Sequence, residues 1–168
     1  GVYWGSTTWL SSFLMEQHGF SMKTMGLLAG APFIAGFISC SVGGVLVDKV
    51  FKGSVKVVLT CCYIPCAVLF YLIPQVGSDV TILASLLVLF GFVMNIDAGA
   101  RFAYPILRYP KEIVGQAVGI SNFAFQMGAF FAPMGASFFI VKTLEGASYV
   151  GAFTFFACMS FTAGILVL

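Results

Sequence analysis

The chain has 168 residues and a formal net charge of +2, with 8% of its residues charged, 60% hydrophobic and a mean hydropathy of +1.04. A soluble domain keeps about a quarter of its residues charged, so this composition excludes a water-soluble globular fold and points into a lipid bilayer. The few charges report orientation and give no reason to expect a nucleic acid partner.

Five short breaks, at 16–22, 48–56, 75–79, 101–112 and 142–147, separate apolar runs at 1–15, 23–47, 57–74, 80–100, 113–141 and 148–168. A bilayer core about 30 Å thick takes roughly 20 apolar residues per helix. The runs therefore predict six transmembrane helices of an all-α membrane protein. Their continuity excludes an outer-membrane barrel, whose strands alternate over about ten residues. The first run is short, no Met starts the chain and no charged flank closes it, so residues 1–168 read as one bundle cut at both ends. No basic segment precedes the first run as a cleaved signal peptide would require.

Run 1–15 gathers Tyr3, Trp4, Thr7, Thr8 and Trp9. Run 23–47 carries Pro32, Gly36, Cys40 and Gly44 at four-residue intervals, a small-residue stripe that lets a neighbouring backbone approach. Pro65 interrupts 57–74. Toward the end of 80–100 stand Asn95, Asp97 and then Arg101. Run 113–141 holds Gly115 and Gly119, then Gly128, Ala132 and Ala136, with Pro133 among them and the amides of Asn122 and Gln126 near its middle. Tyr71, Tyr104, Tyr109 and Tyr149 fall where an interfacial aromatic belt is expected.

Six of the eight basic residues, Lys49, Lys52, Lys56, Arg101, Arg108 and Lys111, fall in breaks 48–56 and 101–112. The positive-inside rule makes those two breaks cytoplasmic in a multi-pass plasma-membrane protein. The five cysteines lie inside runs with no His or Asp at a ligand interval, so they read as packing residues, and neither a metal nor another cofactor is expected. No His-Glu-x-x-His pattern, nucleophile elbow or phosphate loop occurs, which argues against an enzyme.

Gly44, Asp48, Lys49, Lys52 and Gly53 resemble the signature loop of the major facilitator superfamily, with Phe51 where a glycine is usual. Pro110, Lys111, Glu112, Gly115 and Gly119 resemble that family's entry into its eleventh helix. Gly119, Ser121, Asn122, Gly128 and Pro133 are similar to the eleventh helix of the anion:cation symporter branch. Tyr3, Trp9 and Leu10 are similar to that branch's seventh helix, with Ser11 in the place of a proline. The resemblance implies the C-terminal six-helix half of a twelve-helix transporter, whose N-terminal half is a partner within the same chain. It implies alternating access for a small polar solute, an organic anion or sugar acid, coupled to a proton or sodium ion.

Under that resemblance Asp48 and Lys49 form a cytoplasmic gate, against the plainer reading of flanking charges that set topology. Tyr3, Trp4 and Thr7, with Asn122 and Gln126, are candidates for substrate binding, because neutral hydrogen-bonding groups and rings suit hydroxyls and carboxylate edges; helix packing is the alternative for each group. Asp97 and Arg101, four residues apart, share a helix face. They stand either as a coupling site, since a carboxylate within a membrane is costly unless paired or hydrated, or as an interfacial ion pair. A non-transporting sensor or assembly protein of the same fold, and a six-helix channel subunit, are the competing functions.

Overall fold

A computed structural model of the chain describes residues 1–50, 54–96, 98–143 and 146–167, without the side chains at 44, 46–48, 99, 100, 102, 103, 107 and 143. The Asp48 side chain and the whole of Asp97 lie outside the described residues, as do Phe51, Lys52 and Gly53 of the signature loop.

Helix α1 spans Val2–Ser12 and widens into a π-helical turn, Phe13–Gln17. The chain then reverses at Gly19, where φ is 67°. The Gly19 N–H donates to the Met15 carbonyl at 3.1 Å and the Phe20 N–H to the Leu14 carbonyl at 3.2 Å, a left-handed closure that only glycine takes without strain. There follow α2 (Met22–Lys49), α3 (Val55–Leu72, extended by a 3-10 turn at Ile73–Gln75), α4 (Val80–Ile96), α5 (Ala98–Arg108) and α6 (Val114–Ser137). A two-stranded antiparallel hairpin, β1 (Val141–Thr143) and β2 (Gly146–Ser148), leads into α7 (Val150–Val167). Apart from those strands the regular structure among the described residues is helical.

Among the described residues, three segments are long and apolar enough to cross a membrane: Met22–Gly43, Val55–Gln75 and Val150–Val167. The apolar helix Val80–Ile96 is shorter. Helix α6 has the length, at 24 residues, but Gln116, Asn122 and Gln126 dilute its apolar run.

The expected runs shift at three places. The break at 101–112 is instead helical as far as Arg108, the end of α5, with Pro105 accommodated inside that helix. Run 113–141 stops being helical at Ser137, where Phe138, Phe139 and Ile140 each donate a backbone bond three residues back in a tightening turn. In the break at 142–147, the described residues Lys142, Thr143, Gly146 and Ala147 belong to the paired strands.

The helices pack chiefly in three pairs, α2 with α4, α3 with α7, and α1 with α6. Exchanging α1 with α4, α2 with α6 and α3 with α7 turns the first pair into the third and leaves the second unchanged. The three chief pairs are thus related by a single exchange of helices. The small-residue stripes are where the pairs meet. A Cβ on Gly91 of α4 would collide with the Pro32 backbone of α2, and one on Gly36 would come within 2.6 Å of the Asn95 amide. The Cys40 thiol reaches the Asn95 carbonyl at 3.7 Å, and the Ser39 hydroxyl donates to the Phe92 carbonyl. On the α1–α6 side, a Cβ on Gly5 would lie 3.0 Å from that of Ala132. Close backbone approach of this kind drives helix association in lipid, where there is little hydrophobic force between helices.

The interior is aromatic: Phe13, Phe70, Phe90, Phe153 and Phe156 are fully buried with Leu83 and Leu87. The outside is also apolar, with Phe37, Phe138 and Leu166 at 77%, 84% and 81% exposure, which suits a surface solvated by lipid.

Candidate functional site: a polar wall and a cavity at the basic end

Two regions carry the polar side chains that could meet a ligand. The first is on α1. The Tyr3 ring lies between Trp4, Phe33 and Phe90, with centroids 5.9, 6.1 and 6.1 Å away. Its hydroxyl faces the Asn95 side chain. Asn95 is itself oriented by donating to the Gly91 carbonyl at 2.8 Å. Tyr3 therefore ties α1 to the α2–α4 pair, and Asn95 is the polar group that the sequence placed near the end of its span without assigning it this partner. The neighbouring Trp4 is 47% exposed. Thr7 turns its hydroxyl back onto its own helix, 3.1 Å from the carbonyls of both Tyr3 and Trp4, which keeps its acceptor lone pairs for other groups.

The second region is a cavity of about 710 Å³ at the end of the bundle where the basic residues gather. Its walls come from the start of α3, from α5, from the first half of α6 and from the last turn of α7. Asn122 and Ser121 face it from α6, and Lys56, Arg101 and Tyr104 contribute polar groups from α3 and α5. The Arg101 guanidinium sits over the Phe125 ring at 5.1 Å, a cation–π contact that joins α5 to α6. Glycines at 115 and 119 leave room, because a Cβ at either would meet nothing within 4 Å.

The expected binding residues have different surroundings. Tyr3 packs toward α2 and α4, Asn122 lines the cavity at the basic end, and Gln126 is exposed on α6. The partner expected for Arg101, Asp97, lies outside the described residues; the ring contact with Phe125 was not legible from spacing because it crosses between helices. Of the gate pair, Lys49 is exposed in the last turn of α2. Lys56 figured in the sequence only as a topology charge. Its place in the cavity follows from the pairing of α3 with α7, which no local pattern encodes.

At the opposite end two hydrogen bonds tie the π-helical turn of α1 to α7. The Tyr149 hydroxyl donates to Glu16 Oε2 at 2.7 Å, and its backbone N–H to Gln17 Oε1 at 2.7 Å, joining the π-helical turn to the start of α7. Tyr149 is 1% exposed, a buried strut where an interfacial belt residue was expected. Burial, then the bond to the Glu16 carboxylate, pushes the phenol up to about 12. His18 stacks on Phe20 and meets the edge of Phe13, and burial lowers its pKa.

The sequence profile of the Major Facilitator Superfamily matches residues 1–168. The chain belongs to the major facilitator superfamily. It is 27% identical over 151 residues to a probable sulfoacetate transporter of Cupriavidus necator, covering 83% of this chain and 34% of that protein. To the hexuronate transporter of Bacillus subtilis it is 26% identical over 172 residues, 96% of this chain and 39% of the relative. To a probable galactarate/D-glucarate transporter of Escherichia coli K12 the identity is 25% over 174 residues, 99% of this chain and 38% of the relative. The chain thus spans well under half the length of these curated relatives. No solved structure matches it. The relatives are named as transporters, and the apolar helices of this chain suit the membrane-embedded superfamily to which it belongs.

Proposed function

We propose that residues 1–168 are the C-terminal six-helix half of a secondary transporter that carries a small organic anion, of the sugar-acid kind, across the plasma membrane by alternating access, with a proton or sodium ion as coupling cation. The observation that carries this reading is the chemistry named for the relatives. Sulfoacetate, hexuronate and galactarate or glucarate are all small polar anions. The exchange that relates the chief helix pairs supports it, since transporters built on internal repeats bind solute near the bilayer midplane at the repeat interface and rock one bundle against the other.

In this reading Tyr3, Trp4 and Thr7 on α1, with Asn122 and Gln126 on α6, form one wall of the solute path. Asp97, with Arg101, couples solute to cation. Asp48 and Lys49 help to close the cytoplasmic side. Breaks 48–56 and 101–112 face the cytoplasm.

The test is uptake of radiolabelled glucuronate by the full-length protein in proteoliposomes, driven by an imposed pH or sodium gradient. Saturable accumulation above that of empty vesicles is expected. Asp97→Asn should abolish gradient-driven accumulation while sparing downhill exchange. Absence of saturable uptake for glucuronate, glucarate and sulfoacetate alike would remove the organic-anion assignment. Unchanged accumulation in the variant would remove Asp97 from coupling.

A further inference from the structure

We propose that the cavity at the basic end is a binding site for one anionic phospholipid. Its lining is divided by chemistry. Lys56 and Arg101 supply positive charge, and no acidic side chain lines it among the described residues. Leu59, Val118, Leu166 and Val167 supply an apolar wall. A small hydrated anion gains nothing from four aliphatic side chains, whereas a molecule with a charged head and a hydrocarbon tail satisfies both parts at once.

The position of the cavity in the bundle favours a lipid over a soluble amphiphile. Leu166 lines it and is also 81% exposed, so the apolar wall runs out onto the outer surface of α7 and a tail bound there continues into the bilayer. The charged side belongs to the end of the bundle that also holds Lys49, Arg108 and Lys111, all exposed. Basic residues collected at one membrane face attract anionic headgroups, worth about 1 kcal/mol for each Lys or Arg near the surface. A volume of about 710 Å³ takes a headgroup and the upper part of one acyl chain. Asn122 and Arg101 of this cavity also figure in the proposed solute path, but the inference uses only the positive charge, the apolar wall and the membrane location, so transport can fail to appear without affecting it.

Native mass spectrometry of the full-length protein, released from nanodiscs of phosphatidylglycerol and phosphatidylcholine mixed in equal parts, tests the proposal. The unmodified protein is expected to retain one phosphatidylglycerol in preference to phosphatidylcholine. Lys56→Gln should lower that retention about fivefold, the equivalent of one surface cation. Val118→Trp, which fills the cavity from its apolar side, should lower it with Lys56 intact, and an unchanged thermal unfolding profile shows that either variant is folded. Equal retention of phosphatidylglycerol in both variants would overturn the proposal. Displacement of the lipid by millimolar inorganic phosphate would also overturn it, in favour of a small-anion site, and displacement by glucuronate would overturn it in favour of a solute subsite.

Discussion

The indole Nε1 of Trp9 donates a hydrogen bond to the backbone carbonyl of Pro133 at 3.0 Å, across 124 positions of sequence. Proline inside a helix disturbs the local backbone ladder, and the carbonyl at this point of α6 is met by a side chain of α1. The same contact fixes the height at which α1 lies on α6, since Gly5 meets Ala132 one helical turn earlier. Trp9→Phe keeps the ring volume roughly and removes the donor. A cost of about 0.6–1.5 kcal/mol is expected, the range for interhelical bonds in membranes and for bonds lost in general. Thermal unfolding of the full-length protein in detergent checks it, and an unchanged midpoint would show that the bond contributes nothing.

Glycines in this chain divide into those pressed against a neighbour and those facing open space, and the two kinds predict opposite mutational results. At Gly91 an added methyl would run into the Pro32 backbone, which cannot move aside as a side chain can. Gly91→Ala should therefore separate α2 from α4 and cost about 1–3 kcal/mol, as overpacking does. At Gly30 nothing lies within 4 Å of the built Cβ. Gly30→Ala should leave stability unchanged or raise it by up to about 1 kcal/mol through helix propensity. Comparing the two unfolding midpoints under identical conditions tests the pair; equal effects would refute the packing assignment.

What could be read from the chain beforehand follows a physical line. The apolar runs and charged breaks mark the helices because lipid imposes that pattern on any spanning segment. The stripes at 32, 36 and 40 and at 128, 132 and 136 mark helix contacts because only small side chains allow them. Partner choice is another matter. Pairing of α3 with α7, which brings Lys56 to the cavity wall, arises from global packing, and so do the approach of Tyr3 to Asn95 and the burial of Tyr149. Arg101 looked like the end of a span because a positive charge usually marks an interface, yet α5 carries it onward and sets it over Phe125. Spacing along one helix pointed to Asp97, which lies outside the described residues, and carries no information about a ring on another helix.

Tyr149 gives a pH dependence whose sign is fixed. Its phenol pKa is raised from 10.0 to about 12, first by burial and then by the bond to Glu16. Below pH 10 both folded and unfolded chains hold the proton, and the Glu16–Tyr149 strut contributes fully. Between pH 10 and about 12 the unfolded chain releases a proton that the folded chain keeps, so stability falls as pH rises. Tyr149→Phe should be less stable than the parent at neutral pH and should lose the part of the alkaline decline that this phenol causes. Unfolding midpoints measured from pH 8 to 11.5 check this, and an identical alkaline decline in both proteins would exclude Tyr149 as its source.

Gln126 separates a solute-facing role from a packing role. It is exposed on α6, the helix whose polar residues keep it out of the set long and apolar enough to cross a membrane. An exposed amide facing lipid would be costly, so on the proposed transporter this face turns toward the opposing half and the solute path. Gln126→Ala removes the hydrogen-bonding group and little packing, so stability should stay within about 0.5 kcal/mol, as for surface positions. Uptake should respond differently. Losing one hydrogen bond to a carboxylate costs about 1.5–3 kcal/mol, which raises KM for the organic anion at least about tenfold. Gln126→Glu should be worse still, because it sets a like charge against an anionic solute. Parallel uptake kinetics and unfolding curves on the two variants decide the matter. A KM that stays at the parent value in both would take Gln126 off the solute path and leave α6 to contact the other half by packing alone.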